Sequence, residues 1–112
     1  GRYDNGVHHT YLSYSVTDSD TTYTISIKND GVIGFLIFHE HGGTLKGLYA
    51  ILTSFFLEEN INNKKYKKYI NLDNSTLAVT HFKGLGTHWV SCYSDAGRFV
   101  LSVEGVDQLF GK

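Results

Sequence analysis

Methionine is absent from these 112 residues, cysteine occurs once, and charge of neither sign prevails. The single thiol, Cys92, cannot close an internal disulfide or build a zinc site from several thiolates, so the fold must hold without either staple. It is weak evidence for a reducing compartment. Ten Lys and Arg against eleven Asp and Glu leave a formal net charge of −1, so no global field draws the chain to nucleic acid, an anionic membrane or an acidic substrate. The longest strongly apolar run, Val32–Phe38, is far short of the roughly 20 residues that span a bilayer, and no secretory signal opens the chain. The expectation is a soluble protein of unassigned compartment. With no methionine and Gly1 in first place, it reads as a processed product or a piece cut from a longer chain.

What is present is apolar and aromatic: 41% hydrophobic, 14% aromatic and only 19% charged. That is enough for one packed core, so residues 1–112 are expected to form a single domain. Residues 1–10 show no period, and the neighbours His8 and His9 would point to opposite sides of an extended chain. From Tyr11 the period becomes two. Leu12, Tyr14 and Val16 alternate with serines, and Tyr23, Ile25 and Ile27 alternate with Thr24, Ser26 and Lys28, as half-buried strands do. Pairing Val16 with Tyr23 aligns both apolar rows. Asn29-Asp30-Gly31 is the strongest local signal, because Asp-Gly adopts the positive φ angles of a two-residue hairpin turn. That turn sets Ile25 opposite Leu36 and Tyr23 opposite Phe38. Ile33, Phe35 and Ile37 then fall on the other face, which predicts a strand covered on both sides and central in its sheet.

Residues 44–60 carry Leu45, Leu48, Tyr49, Leu52, Phe55 and Phe56 at steps of three and four, the spacing of one long helix with Thr44 as N-cap. Glu58 and Glu59 would oppose its dipole at the C-terminal end. Residues 60–75 read as a polar connection, in which four lysines interleave with Tyr66 and Tyr69. The last third alternates again over Thr76–Phe82, Thr87–Tyr93 and Arg98–Glu104, and Val106–Phe110 suggests a short helical turn. A register that places His81 opposite His88 also pairs Val79 with Val90 and Cys92 with Phe99. The fold class expected is therefore α+β: an antiparallel sheet built from two three-stranded meanders, residues 11–39 and 76–104, flanking one long helix. The layout resembles PAS-like, profilin-like and longin-like small domains.

Three constellations could carry function. The first is the aromatic set Phe82, Trp89 and Tyr93 on the outward face of the last meander. Exposed aromatics mark interfaces, and this set supports a non-enzymatic module that binds a protein partner or a small ligand. No cofactor is then needed, a homo-oligomer is one form of such binding, and whether the chain is catalytic stays open. The second is His39 and His41, two apart and so on one strand face, with His88 from a later strand. This His-x-His pattern resembles the cupin family loosely, and the resemblance implies a divalent metal held by His39, His41 and His88, with an enzymatic role as one consequence. The third is a metal-free nuclease or toxin-type site using His81, His88 and a lysine from residues 64–68. Nucleic acid is otherwise disfavoured, because the lysine run has no second basic patch to extend it. Gly86-Thr87-His88-Trp89-Val90 also looks like the segment around the catalytic histidine of some viral cysteine proteases. Cys92, expected inside, is not placed to be the nucleophile.

Overall fold

The computed structural model of the chain describes residues 1–4 and 8–112. Among them, eight strands and three helices run in the order β1 (Arg2–Asp4), β2 (His8–Thr17), β3 (Asp20–Asn29), β4 (Val32–His39), α1 (Thr44–Ser54), α2 (Glu58–Ile61), β5 (Lys68–Leu72), β6 (Ser75–Gly84), β7 (Thr87–Ser94), β8 (Gly97–Leu101) and α3 (Val103–Leu109). Strand makes up 54% and helix 20%. The expected pair of three-stranded meanders around one long helix is thus corrected: there are two four-stranded antiparallel sheets, in the orders β1-β2-β3-β4 and β5-β6-β7-β8, and the helices are short.

Each meander gains a strand that composition hides. The lead-in supplies β1 and the start of β2, paired through Tyr3 and Thr10. Residues 5–7 of that lead-in, and the imidazole of His8, lie outside what is described. His9 points its Nδ1 at Asp4 Oδ2, 2.7 Å away. The polar connection contains β5, where Ile70 and Leu72 pair with Leu77 and Ser75.

Turn chemistry sets the registers. Asp30 and Gly31 both lie in the left-handed region, at φ 51° and 82°, and Ile25 pairs with Leu36 and Tyr23 with Phe38 as the sequence predicts. At two other turns the expected pairings are two residues out. The first turn holds only Asp18 and Ser19, so Tyr23 meets Tyr14 rather than Val16. The β6–β7 turn holds only Leu85 and Gly86, so His81 meets Val90, Val79 meets Cys92, and His88 meets Lys83. A slip of two residues leaves every side chain on its face, which is why Leu77, Val79, Val90 and Cys92 still fall on the buried side. Cys92 faces Phe99 and Val90 faces Leu101, as expected.

That core joins Ile25, Ile27, Leu36 and Phe38 of the first sheet to Leu77, Val79, Val90, Phe99 and Leu101 of the second, with Leu48, Leu52 and Phe55 of α1 and Val106 and Leu109 of α3. At Gly34 a Cβ would stand 1.7 Å from the Ala96 carbonyl oxygen, so the sheets meet backbone to backbone there. The other face of β4 is a correction. Ile33, Phe35 and Ile37 are 52%, 58% and 53% exposed, and β4 is an edge strand rather than a central one.

The long helix breaks because its own polar side chains compete for the ladder. Thr53 Oγ1 donates to the carbonyls of Tyr49 and Ala50, and Ser54 Oγ to that of Ile51. Asn60 Nδ2 takes the Ser54 carbonyl at 2.8 Å, and Leu57 is extended at φ −66°, ψ 145°. Glu58 and Glu59 consequently sit in the first turn of α2, the favourable end of a helix dipole. The tail helix α3 is longer than expected and is capped by Ser102 Oγ, which accepts from the Gly105 N–H at 3.1 Å.

Candidate functional site

The His39-Glu40-His41 segment ties three elements together. Glu40 accepts from the backbone N–H groups of Gly43, Thr44 (2.9 Å) and Leu45 (3.1 Å), and from the Tyr23 hydroxyl at 3.2 Å. The Gly43 and Leu45 bonds to its charged form hold Glu40 at about 2, well below the usual carboxylate range. This carboxylate, and not the expected Thr44, satisfies the start of α1; the N-cap residue is Gly43, at φ 118°, and Thr44 Oγ1 accepts from the His41 N–H instead. His39 Nδ1 and His41 Nε2 stand 2.9 and 2.8 Å from the two oxygens of Asp73, in the β5–β6 turn, and the His39 N–H donates to Oδ2 at 2.7 Å. The two imidazoles and that N–H keep Asp73 at about 2. Each of these contacts gives a strand end or a turn a fixed neighbour.

His88 does not join them. Asp73 precedes β6, whereas His88 lies across from Lys83 near its far end. Lys83 lies eight positions beyond Ser75, roughly 27 Å of extended chain. Among the described residues, no group of three His, Cys, Asp or Glu side chains is arranged to hold a metal ion. His81, the proposed partner of His88 in a nuclease, places Nε2 2.6 Å from the Asn63 carbonyl oxygen, and that acceptor requires the proton to sit on Nε2. Cys92 is buried in the core, and burial pushes its thiol far above the ordinary value. A thiol held protonated is no nucleophile.

The β6–β7 hairpin is different, because it projects. β5 pairs with β6 only as far as Val79, and β8 with β7 only as far as Val90, so residues beyond them on both strands have no strand neighbour outside the hairpin. On its outer face Phe82 pairs directly with Trp89, and both rings lie close over Gly84. Trp89 Nε1 donates to the Gly84 carbonyl, though at 3.4 Å the bond is long. Tyr93 shares that face but stands four residues away, opposite Ala78, whose other neighbour is Tyr69. Ser91 lies between, its hydroxyl accepting from Arg98 Nε at 2.8 Å. The three predicted aromatics therefore form a pair and a separate tyrosine, and Tyr69, 67% exposed, extends the row. Sequence reading missed Tyr69 because its strand was hidden among lysines.

The inner face of the hairpin carries His81, Lys83 and His88. The α2–β5 loop leans over it: Tyr66 packs edge-on against Phe55 and hydrogen-bonds Ser54, and the His81 ring sits 5.4 Å from Phe55 and 6.3 Å from Tyr66. Leu85 stands fully exposed at the tip. No protein-family model matches this chain, and no curated protein matches it in sequence.

Proposed function

We propose that the chain is a small non-enzymatic binding module that recognises a protein partner or a small ligand through the outer face of the β6–β7 hairpin. One observation carries the reading: Phe82 and Trp89 stand side by side on a sheet face, with Phe82 42% and Tyr93 62% exposed. Large rings on a strand-paired backbone lose little side-chain entropy on binding, which is why such residues dominate interface energetics. The face also offers hydrogen-bonding groups, in the Tyr69 and Tyr93 hydroxyls and the Arg98 guanidinium beside Ser91.

Trp89 is the single tryptophan of the chain, so its emission reports on this face alone. A displayed-peptide library and a fragment library would be selected against the parent protein and the hits titrated. Selected ligands should shift Trp89 emission and bind at least tenfold more weakly to Phe82→Ser and to Trp89→Ser, the latter followed by calorimetry. Hits that leave the emission unchanged and bind both variants as tightly as the parent would dispose of the reading.

A further inference from the structure

We propose that the free edge of β4 is a docking site for an extended segment of another protein, added to the first sheet as a further strand, in which apolar and polar side chains alternate and one polar position is a lysine or arginine. This surface is separate from the outer face of the β6–β7 hairpin.

The backbone creates the demand. The Glu40 N–H turns inward to the Thr21 carbonyl, so by antiparallel alternation the N–H and C=O groups of Ile33, Phe35 and Ile37 turn outward. β4 is last in its sheet, and among the described residues nothing accepts from these three amides. Beyond them the His39 N–H is already taken by Asp73, so the open run, residues 33–37, has the length of a short strand. Ile33, Phe35 and Ile37 share the outer face, each more than half exposed, and the apolar row of an added strand would lie beside them.

The second sheet supplies the charge. Side chains of an added strand alternate, so those between the apolar ones turn to the inner side of the edge. There a groove of about 450 Å³ runs between residues 32–35 and a wall made by Ser75, Asp95 and Ala96. Gly34 lets that wall approach, because the Ala96 carbonyl oxygen lies where a Cβ would be. Asp95 is exposed, and the Ser75 hydroxyl reaches it only at 3.4 Å, a long bond that leaves most of the carboxylate's accepting capacity open. Among the described residues every ion pair joins a histidine to Asp4 or Asp73, so no cation matches Asp95. A lysine or arginine beside Gly34 on the added strand provides one. A second copy does not: its β4 carries no lysine or arginine, and pairing β4 on β4 leaves both Asp95 carboxylates unmatched. Self-association is therefore the weaker use of the edge.

The test is fluorescence anisotropy of the labelled, end-capped peptide Ser-Val-Thr-Val-Lys-Val-Thr-Val-Ser titrated with the folded chain, beside the same peptide with glutamate in place of lysine and a backbone N-methylated form that cannot pair as a strand. The lysine peptide should bind saturably, the glutamate peptide at least fivefold more weakly and the N-methylated form at least tenfold more weakly. Asp95→Lys should reverse the order of the lysine and glutamate peptides. Phe35→Pro removes an outward N–H that makes no bond within the sheet and should weaken the lysine peptide at least tenfold, with circular dichroism checking the fold. Trp89→Ser should bind it as the parent does, which separates this edge from the outer hairpin face. Absence of saturable binding overturns the proposal, as does a peptide order that Asp95→Lys leaves unreversed, or N-methylated peptide bound as tightly as the unmethylated one. Binding lost in Trp89→Ser would also overturn it, moving the peptide to the hairpin. So would a β4-linked dimer that excess lysine peptide does not dissociate, which would give the edge to a second copy.

Discussion

Leu85 is held at a backbone angle that its side chain resists. Its φ is 53°, its partner in the turn, Gly86, is at 77°, and its side chain is fully exposed at the tip of the hairpin. A left-handed conformation costs an ordinary residue roughly 1–2 kcal/mol, and asparagine relieves much of this through its short polar side chain. Asn-Gly is also the preferred pair for a two-residue hairpin turn. Leu85→Asn should therefore stabilise the fold by about 1 kcal/mol, a rise of about 4 °C in Tm for a domain of this size. Thermal unfolding checks it, and a Tm equal to or below the parent's would show that Leu85 packs against something its exposure conceals.

Among the elements, the junction of β4, α1 and the β5–β6 turn is where charge enters stability. Glu40 and Asp73 both titrate at about 2 in the folded state, below their ordinary values near 4. A depressed carboxylate contributes fully above its unfolded value and loses the contribution as pH falls toward its folded one. Tm should accordingly be level above about pH 5 and decline from there to about pH 2. Glu40→Gln/Asp73→Asn should have a lower Tm at neutral pH and a flatter acid limb. A double variant whose acid limb parallels the parent's would place the sensitivity elsewhere. The register expected from the sequence sets His81 opposite His88, and the actual one separates them. What was legible was local and periodic: the Asp30-Gly31 turn, the alternation of Ile25, Leu36, Leu77, Val79 and Val90, and the apolar face of α1. What was not legible depended on side-chain partners that no periodicity marks, most of them far apart in the chain. Nothing near His39 or His41 announces Asp73, and nothing near Thr44 says that Glu40, four residues earlier, will satisfy its N–H. Lys67 and Lys68 masked β5, because charge obscures a period carried by only Ile70 and Leu72. The Phe82–Trp89 pair was half legible: alternation gave the shared face, while the tightness of the Leu85-Gly86 turn decided that they are direct neighbours.

At the scale of the whole molecule, the two sheets and three helices bury one core and leave the β4 edge of the first sheet without a strand partner, though Ser75, Asp95 and Ala96 of the second sheet line a groove beside Ile33, Gly34 and Phe35. The Glu40 N–H donates to the Thr21 carbonyl at 2.9 Å, so its amide turns toward β3. By the alternation of an antiparallel strand, the amides of Ile33, Phe35, Ile37 and His39 turn the other way. That of His39 is taken by Asp73; β4 is the last strand of its sheet, so the other three face an edge with no strand beyond it. The side chains of Ile33, Phe35 and Ile37 lie together on the outer face, and no charged residue interrupts β4. A strand edge that is unpaired and apolar is a template for another chain; Asp95 is the one carboxylate lining the groove beside it, and a formal net charge of −1 supplies little further repulsion. Concentration-dependent association through this edge is the expected behaviour of the purified protein. Phe35→Glu/Ile37→Glu adds two negative charges, taking the formal net charge from −1 to −3. Both positions are more than half exposed, so the change in stability should be small, within about 1 kcal/mol. Sedimentation velocity over a concentration series should show the parent sedimenting faster as concentration rises and the double variant remaining at the monomer value. A parent that stays monomeric throughout, or a variant that associates equally, would mean that the β4 edge is protected by something other than charge.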